Sequence, residues 1–61
     1  MDSITAKIIT MIEILQGTLK DATKFEEKGN NTAGTRVRKD MQELIKMAKD
    51  VRITVQEIKK S

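Results

Sequence analysis

Arg36, Arg38 and Lys39 set three cations within four residues, just after the run Gly29-Asn30-Asn31. Guanidinium and ammonium groups at this density hold phosphate or carboxylate oxygens through charge-assisted hydrogen bonds. The series continues with Lys46, Lys49, Arg52, Lys59 and Lys60. Residues 32–61 thus hold eight cations against Asp40, Glu43, Asp50 and Glu57, a net of +4. Residues 1–31 hold four cations against five carboxylates, a net of −1. A basic half beside a nearly neutral one points to a polyanionic partner.

Most other chemistry is excluded. The chain has no histidine and no cysteine, so nucleophilic triads, thiol chemistry, disulfides and imidazole or thiolate metal sites are absent. A carboxylate metal site in a helical bundle normally uses Glu-x-x-His pairs, which cannot exist here. Glu43 and Asp50 fall at exposed helical spacing rather than in a pocket. The sequence therefore offers no catalytic residue, metal site, cofactor site or small-molecule substrate site.

The charges need elements to position them. The chain has 61 residues, no proline, Phe25 as its one aromatic residue, and 34% charged residues. That composition belongs to long, solvated helices. In the second half, Val37, Met41, Leu44, Ala48, Val51, Val55 and Ile58 alternate spacings of four and three. This heptad predicts one helix over about residues 31–60, packed along a partner at a shallow angle. Ile4, Ile8, Met11, Leu15, Thr18, Ala22 and Phe25 repeat the spacing and predict a helix over about residues 3–28. Asp2 or Ser3 suits its cap. Gly29 suits the left-handed residue that closes it, and Asn30 or Asn31 the cap of the next helix.

A hinge over residues 29–31 is short enough to fold the helices back on each other. The expected fold is all-α: one antiparallel two-helix hairpin over residues 1–61. A chain this short buries only about 60% of its surface and usually gains support from disulfides, metal or oligomerisation. Ile9, Ile12, Ile14 and Leu19 widen the apolar surface of the first helix beyond its seam. They are the expected dimer interface, giving a two-fold four-helix bundle. The simpler alternative leaves Ile9 or Ile14 as a single exposed apolar residue.

On the second helix the heptad sorts charge into stripes. Arg38, Arg52 and Lys59 share position e, Lys39, Lys46 and Lys60 position f, and Lys49 position b, which are neighbours on the wheel. Glu43, Asp50 and Glu57 share position c on the far flank. A solvated face usually mixes its charges; this one segregates them. The ridge also starts near a helix N-terminus, where the macrodipole disfavours cations and favours anions. An arriving phosphate would meet both the open amides and Arg36 or Lys39. Small Thr32, Ala33 and Gly34 would leave room for it; close helix packing explains Ala33 and Gly34 equally well.

Without tyrosine or tryptophan, stacking on unpaired bases has no platform. No helix-turn-helix, zinc-finger or RNP spacing occurs. Duplex DNA held by its phosphates is the partner that this surface best fits. No segment reaches the roughly 18 apolar residues of a membrane span. A membrane-surface helix is disfavoured because the seam is used inside the hairpin and the ridge lacks an aromatic anchor. With no signal-peptide pattern at the N-terminus, a cytoplasmic setting is expected.

The stretch EEKGNNTAGTRVRKDMQELIKMAKDVRITVQEIK resembles the bacterial histone-like nucleoproteins of the linker-histone type. Glu26 or Glu27, Lys28, Gly29, Asn30, Ala33, Arg36 and Arg38 stand where that family carries Glu-x-Gly-Asn-x-x-Ala/Gly followed by Arg-x-Arg. The resemblance covers about residues 20–60. It implies a helical, self-associating protein that binds and compacts DNA in the nucleoid. Longer members continue into a lysine- and alanine-rich tail; here Lys59 and Lys60 are followed by Ser61, so self-association is the implication carried most directly. The reading is a homodimeric, non-specific duplex-DNA-binding protein. The alternative is a hairpin that dimerises and binds an acidic protein, with no nucleic acid involved.

Overall fold

A computed structural model describes residues 3–60, which form two helices, α1 over Ile4–Lys28 and α2 over Asn31–Lys60. They pack against each other as an antiparallel hairpin measuring 50 × 15 × 14 Å. Each boundary has a local cause. Ser3 is extended, and its hydroxyl accepts from the Ala6 amide at 3.0 Å, capping the first turn of α1. Asp2, the other candidate cap, lies outside the described residues. Gly29 closes α1 at φ 63°, with its amide donating to the Phe25 carbonyl at 3.0 Å. A side chain at that φ is strained, which is why glycine serves there. Asn30 then caps α2, its Oδ1 accepting from the Ala33 amide at 3.1 Å.

The seam between the helices is thin. Among the described residues only Ala33 and Thr18 are buried, and no large side chain is fully enclosed. Half-buried residues mark the rest of it: Ile4, Lys7, Met11, Ile14, Asp21 and Ala22 on α1, facing Val37, Asp40, Leu44, Met47, Val51 and Thr54 on α2. The α1 seam is therefore rotated from the expected one. Ile8 and Leu15 are turned out, at 43% and 46% exposed, while Lys7 and Ile14 are turned in. Ile14, expected on the surface left for a second chain, is half-buried in the hairpin instead. On α2, Met41 and Ile58 stand outside the seam and Asp40 takes a place within it.

Polar pairs across the seam account for the rotation. Lys7 Nζ lies 2.8 Å from Asp50 Oδ2 and donates to Thr54 Oγ1 at 2.8 Å. Thr18 Oγ1 sits 2.7 Å from Asp40 Oδ2 and 2.9 Å from the Ile14 carbonyl, and its one proton serves either acceptor. Arg36 forks onto Asp21. These contacts place residue 7 opposite 50–54, 18 opposite 40, and 21 opposite 36. Polar groups at seam positions fix register, because a slip leaves them unpaired.

Gly34 completes the hinge end. A Cβ there would sit 2.7 Å from Phe25 Cδ1 and 2.8 Å from Cε1, so the ring lies directly over the glycine. Together with fully buried Ala33, this decides between the two readings of the small-residue run. Ala33 and Gly34 serve helix packing.

Candidate nucleic-acid interface

The seam of α2 faces α1 through heptad positions d and g, with a at one edge. Positions b, e and f consequently point away from α1. Arg38, Lys39, Lys46, Lys49, Arg52, Lys59 and Lys60 occupy them, and all seven are exposed. They run along about six turns of one helix, roughly 30 Å at 1.5 Å per residue. The salt bridges among the described residues are Lys7–Asp50 and Arg36–Asp21, so no ridge cation is paired with a described carboxylate. An open groove of about 580 Å³ runs beside Lys49, Arg52 and Lys59, with Ile53 and Val55 in its lining.

The ridge is not purely charged. Ile45 and Ile53 stand within it, 56% and 57% exposed. Lys59 and Lys60 lie in the last turn of α2, where cations offset the negative end of the helix dipole.

Arg36 is placed apart from this surface. It occupies heptad position c, on the flank shared with Glu43 and Asp50, while Arg38 projects from the opposite flank. Its Nε donates to Asp21 Oδ2 at 3.1 Å and its Nη2 to Asp21 Oδ1 at 2.9 Å. The Asp21 side chain is only 17% accessible, that of Arg36 49%. Hydrogen bonding from Arg36 holds the Asp21 carboxyl below its ordinary value of 3.8, and the same bond raises Arg36 above its own. The first positive charge of α2 is thus balanced by a carboxylate from α1.

The start of α2 is also less open than a free helix terminus. The Ala33 amide is taken by the Asn30 side chain and the Gly34 amide by the Asn30 carbonyl at 3.2 Å. No acidic residue occupies its first turn.

The family model for histone H1-like protein Hc1 matches residues 5–61. The chain belongs to the Hc1 family. The match spans both helices, the hinge and every ridge cation. Hc1-type proteins are histone-like, DNA-binding nucleoid proteins, and the all-helical hairpin here is the scaffold on which this member carries its cations. No curated protein and no solved structure matches the chain. Within this Hc1 hairpin, the Asp21–Arg36 and Thr18–Asp40 pairs were not foreseen from heptads. Their signal was present: opposite polar groups lie at similar distances from the Gly29–Asn30 hinge, eight and six positions for Asp21 and Arg36 and eleven and ten for Thr18 and Asp40, and an antiparallel fold brings such residues face to face. No helix is long and apolar enough to cross a membrane among the described residues.

Proposed function

We propose that this Hc1-family protein binds duplex DNA through its phosphates, without reading sequence, as a homodimer in the bacterial nucleoid. Arg38, Lys39, Lys46, Lys49 and Arg52 form the main contact surface, extended by Lys59 and Lys60. The single observation that carries the reading is the ridge itself: seven exposed cations on the outer side of one helix, none in a salt bridge among the described residues. Such an array is stable in free protein only through hydration and counterions, and polyphosphate replaces both. Family membership supports the same partner. Arg36 serves chiefly as the hinge-end tie to Asp21 and contributes to DNA through long-range charge.

The phosphate reading makes the protein a packaging component rather than an enzyme, with no cofactor in its action. Changing Lys46, Lys49 and Arg52 together to Gln tests it. Affinity for a random duplex should fall at low salt and the log–log salt slope should lose about 0.9 per contact removed. Lys20→Gln with Lys24→Gln, on α1, should leave the slope unchanged. Equal effects from both variants would remove the ridge from the account.

Ile45 and Ile53, exposed among the cations, favour a second reading in which an acidic helical protein packs on the ridge. Binding of that kind depends on apolar area and varies little with salt.

A further inference from the structure

The cations of α2 do not peak where the helix stands furthest from α1. Heptad position b is the row opposite seam positions d and g, and it carries Thr35, Gln42, Lys49 and Gln56, all exposed. Three of these four are uncharged. The other six ridge cations stand in the two rows that flank it, three in e and three in f. Each flanking row also holds one isoleucine, Ile45 in e and Ile53 in f, 56% and 57% exposed. The outer face of α2 is therefore a hydrogen-bonding crest between two lines of positive charge, with one apolar side chain on each shoulder.

A surface that lies flat on phosphates needs its charge on the crest, because the crest makes the closest approach. Here amide side chains stand there instead, and the isoleucines beside them gain nothing from phosphate oxygens. Both observations fit a groove. An α-helix with its side chains is about 10–12 Å across, which matches the ~12 Å major groove of B-DNA and is excluded by the ~6 Å minor groove. Crest side chains then meet base edges, and shoulder cations meet the two phosphate strands that wall the groove.

We infer that α2 seats lengthwise in the major groove of B-form DNA, with Gln42 and Gln56 against base edges and Ile45 and Ile53 against the C5 edges of pyrimidines. This rests on the duplex-binding reading above and adds to it the groove entered and the nucleic acid refused. Rows e and f divide the phosphate contacts between the two strands. On the f side, Glu43, Asp50 and Glu57 follow in the next row and stop that flank from sinking past its lysines. The length that must lie in the groove, Gln42 to Gln56, is about 21 Å, well under the ~34 Å in which the groove makes one turn. A carboxamide both donates and accepts, and every base pair turns one pyrimidine C5 edge to this groove, so the seat tolerates any sequence. It does not tolerate any form. The major groove of A-form RNA is deep, narrow and closed to side chains, so duplex RNA offers α2 no seat.

The test keeps the phosphates and fills the groove. A labelled random-sequence duplex is compared with the same duplex carrying glucosylated 5-hydroxymethylcytosine at every cytosine, whose neutral sugars occupy the major groove. At one salt concentration the wild type should bind the filled duplex, and duplex RNA of the same sequence, several-fold more weakly than the open DNA. Ile45→Ala with Ile53→Ala should lose several-fold on the open duplex while keeping the wild-type salt slope, since no phosphate contact is removed. Equal wild-type binding of open and filled duplexes, or of DNA and RNA, would overturn the seat and leave the duplex reading standing. So would a double variant that binds the open duplex as tightly as the wild type. If the wild type binds no duplex at all, the duplex reading itself has failed and the seat falls with it.

Discussion

Arg36 and Asp21, fifteen residues apart, form a two-armed hydrogen-bonded pair across the hairpin at 2.9 and 3.1 Å. The pair resolves an apparent conflict in the chain, where the first turns of α2 carry cations that the helix dipole disfavours. One of those cations is neutralised by the other helix, and in being so it fixes how the helices meet.

The pair gives stability a pH dependence of known sign. Asp21 titrates below its ordinary 3.8 in the folded chain because Arg36 donates to its carboxylate. Its contribution is therefore complete above the unfolded value and is lost as pH falls through the lower, folded one. Thermal melts of wild type and Asp21→Asn should differ at pH 6 and converge in strong acid, once pH has fallen through the lower, folded value. A difference that persisted in strong acid would show that the carboxylate charge is not what Arg36 uses.

Two glycines in helices should respond oppositely to alanine. Gly17 has open space where a Cβ would go, so Gly17→Ala should stabilise by about 1 kcal/mol from helix propensity alone. Gly34 lies under the Phe25 ring, where a Cβ would approach to 2.7 Å. The same propensity gain is offset there by overpacking of about 1–3 kcal/mol, so Gly34→Ala should be no better than neutral. Urea midpoints of the two variants, measured with an unchanged m-value, decide the matter.

Thr18→Val keeps the shape of a nearly buried residue and removes its hydroxyl. Asp40, half-buried in the seam, then loses the donor at 2.7 Å. A loss of about 1–3 kcal/mol follows. The double variant Thr18→Val with Asp40→Leu should recover most of it; an additive double loss would mean that the two side chains do not interact.

Arg36 and Lys46 should separate fold from binding. Arg36→Gln should lower the melting temperature while leaving the salt slope of DNA binding nearly unchanged. Lys46→Gln should leave melting unchanged and reduce that slope by about 0.9. A full slope loss in Arg36→Gln would return Arg36 to the contact surface.

The sequence carried the helices and the hinge well, because each rests on local signals. Heptad spacing drew both helices, and the φ of Gly29 and the cap at Asn30 are chemistry that neighbouring residues decide. The positions of the ridge cations on α2 followed too, since a helix fixes them whatever it packs on. The rotation of α1 did not follow. Hydrophobicity alone favours Ile8 and Leu15 in the seam, and it lost to polar pairs that hydrophobic spacing cannot see. Lys7 reaches Asp50 across 43 positions, and Thr18 reaches Asp40 across 22. For the same reason Arg-x-Arg read as one cluster, although residues two apart on a helix point to opposite flanks.

The most direct test of the central claim is the salt dependence of duplex binding. Fluorescence anisotropy of a labelled random-sequence duplex of about 30 base pairs, titrated between 50 and 200 mM salt, measures it. About six phosphate contacts give a log–log slope near −5, a loss of roughly three decades in affinity over that range, with no preference among sequences. Absence of binding at the lower salt, or binding that salt leaves unchanged, would contradict the account and leave the ridge to a protein partner.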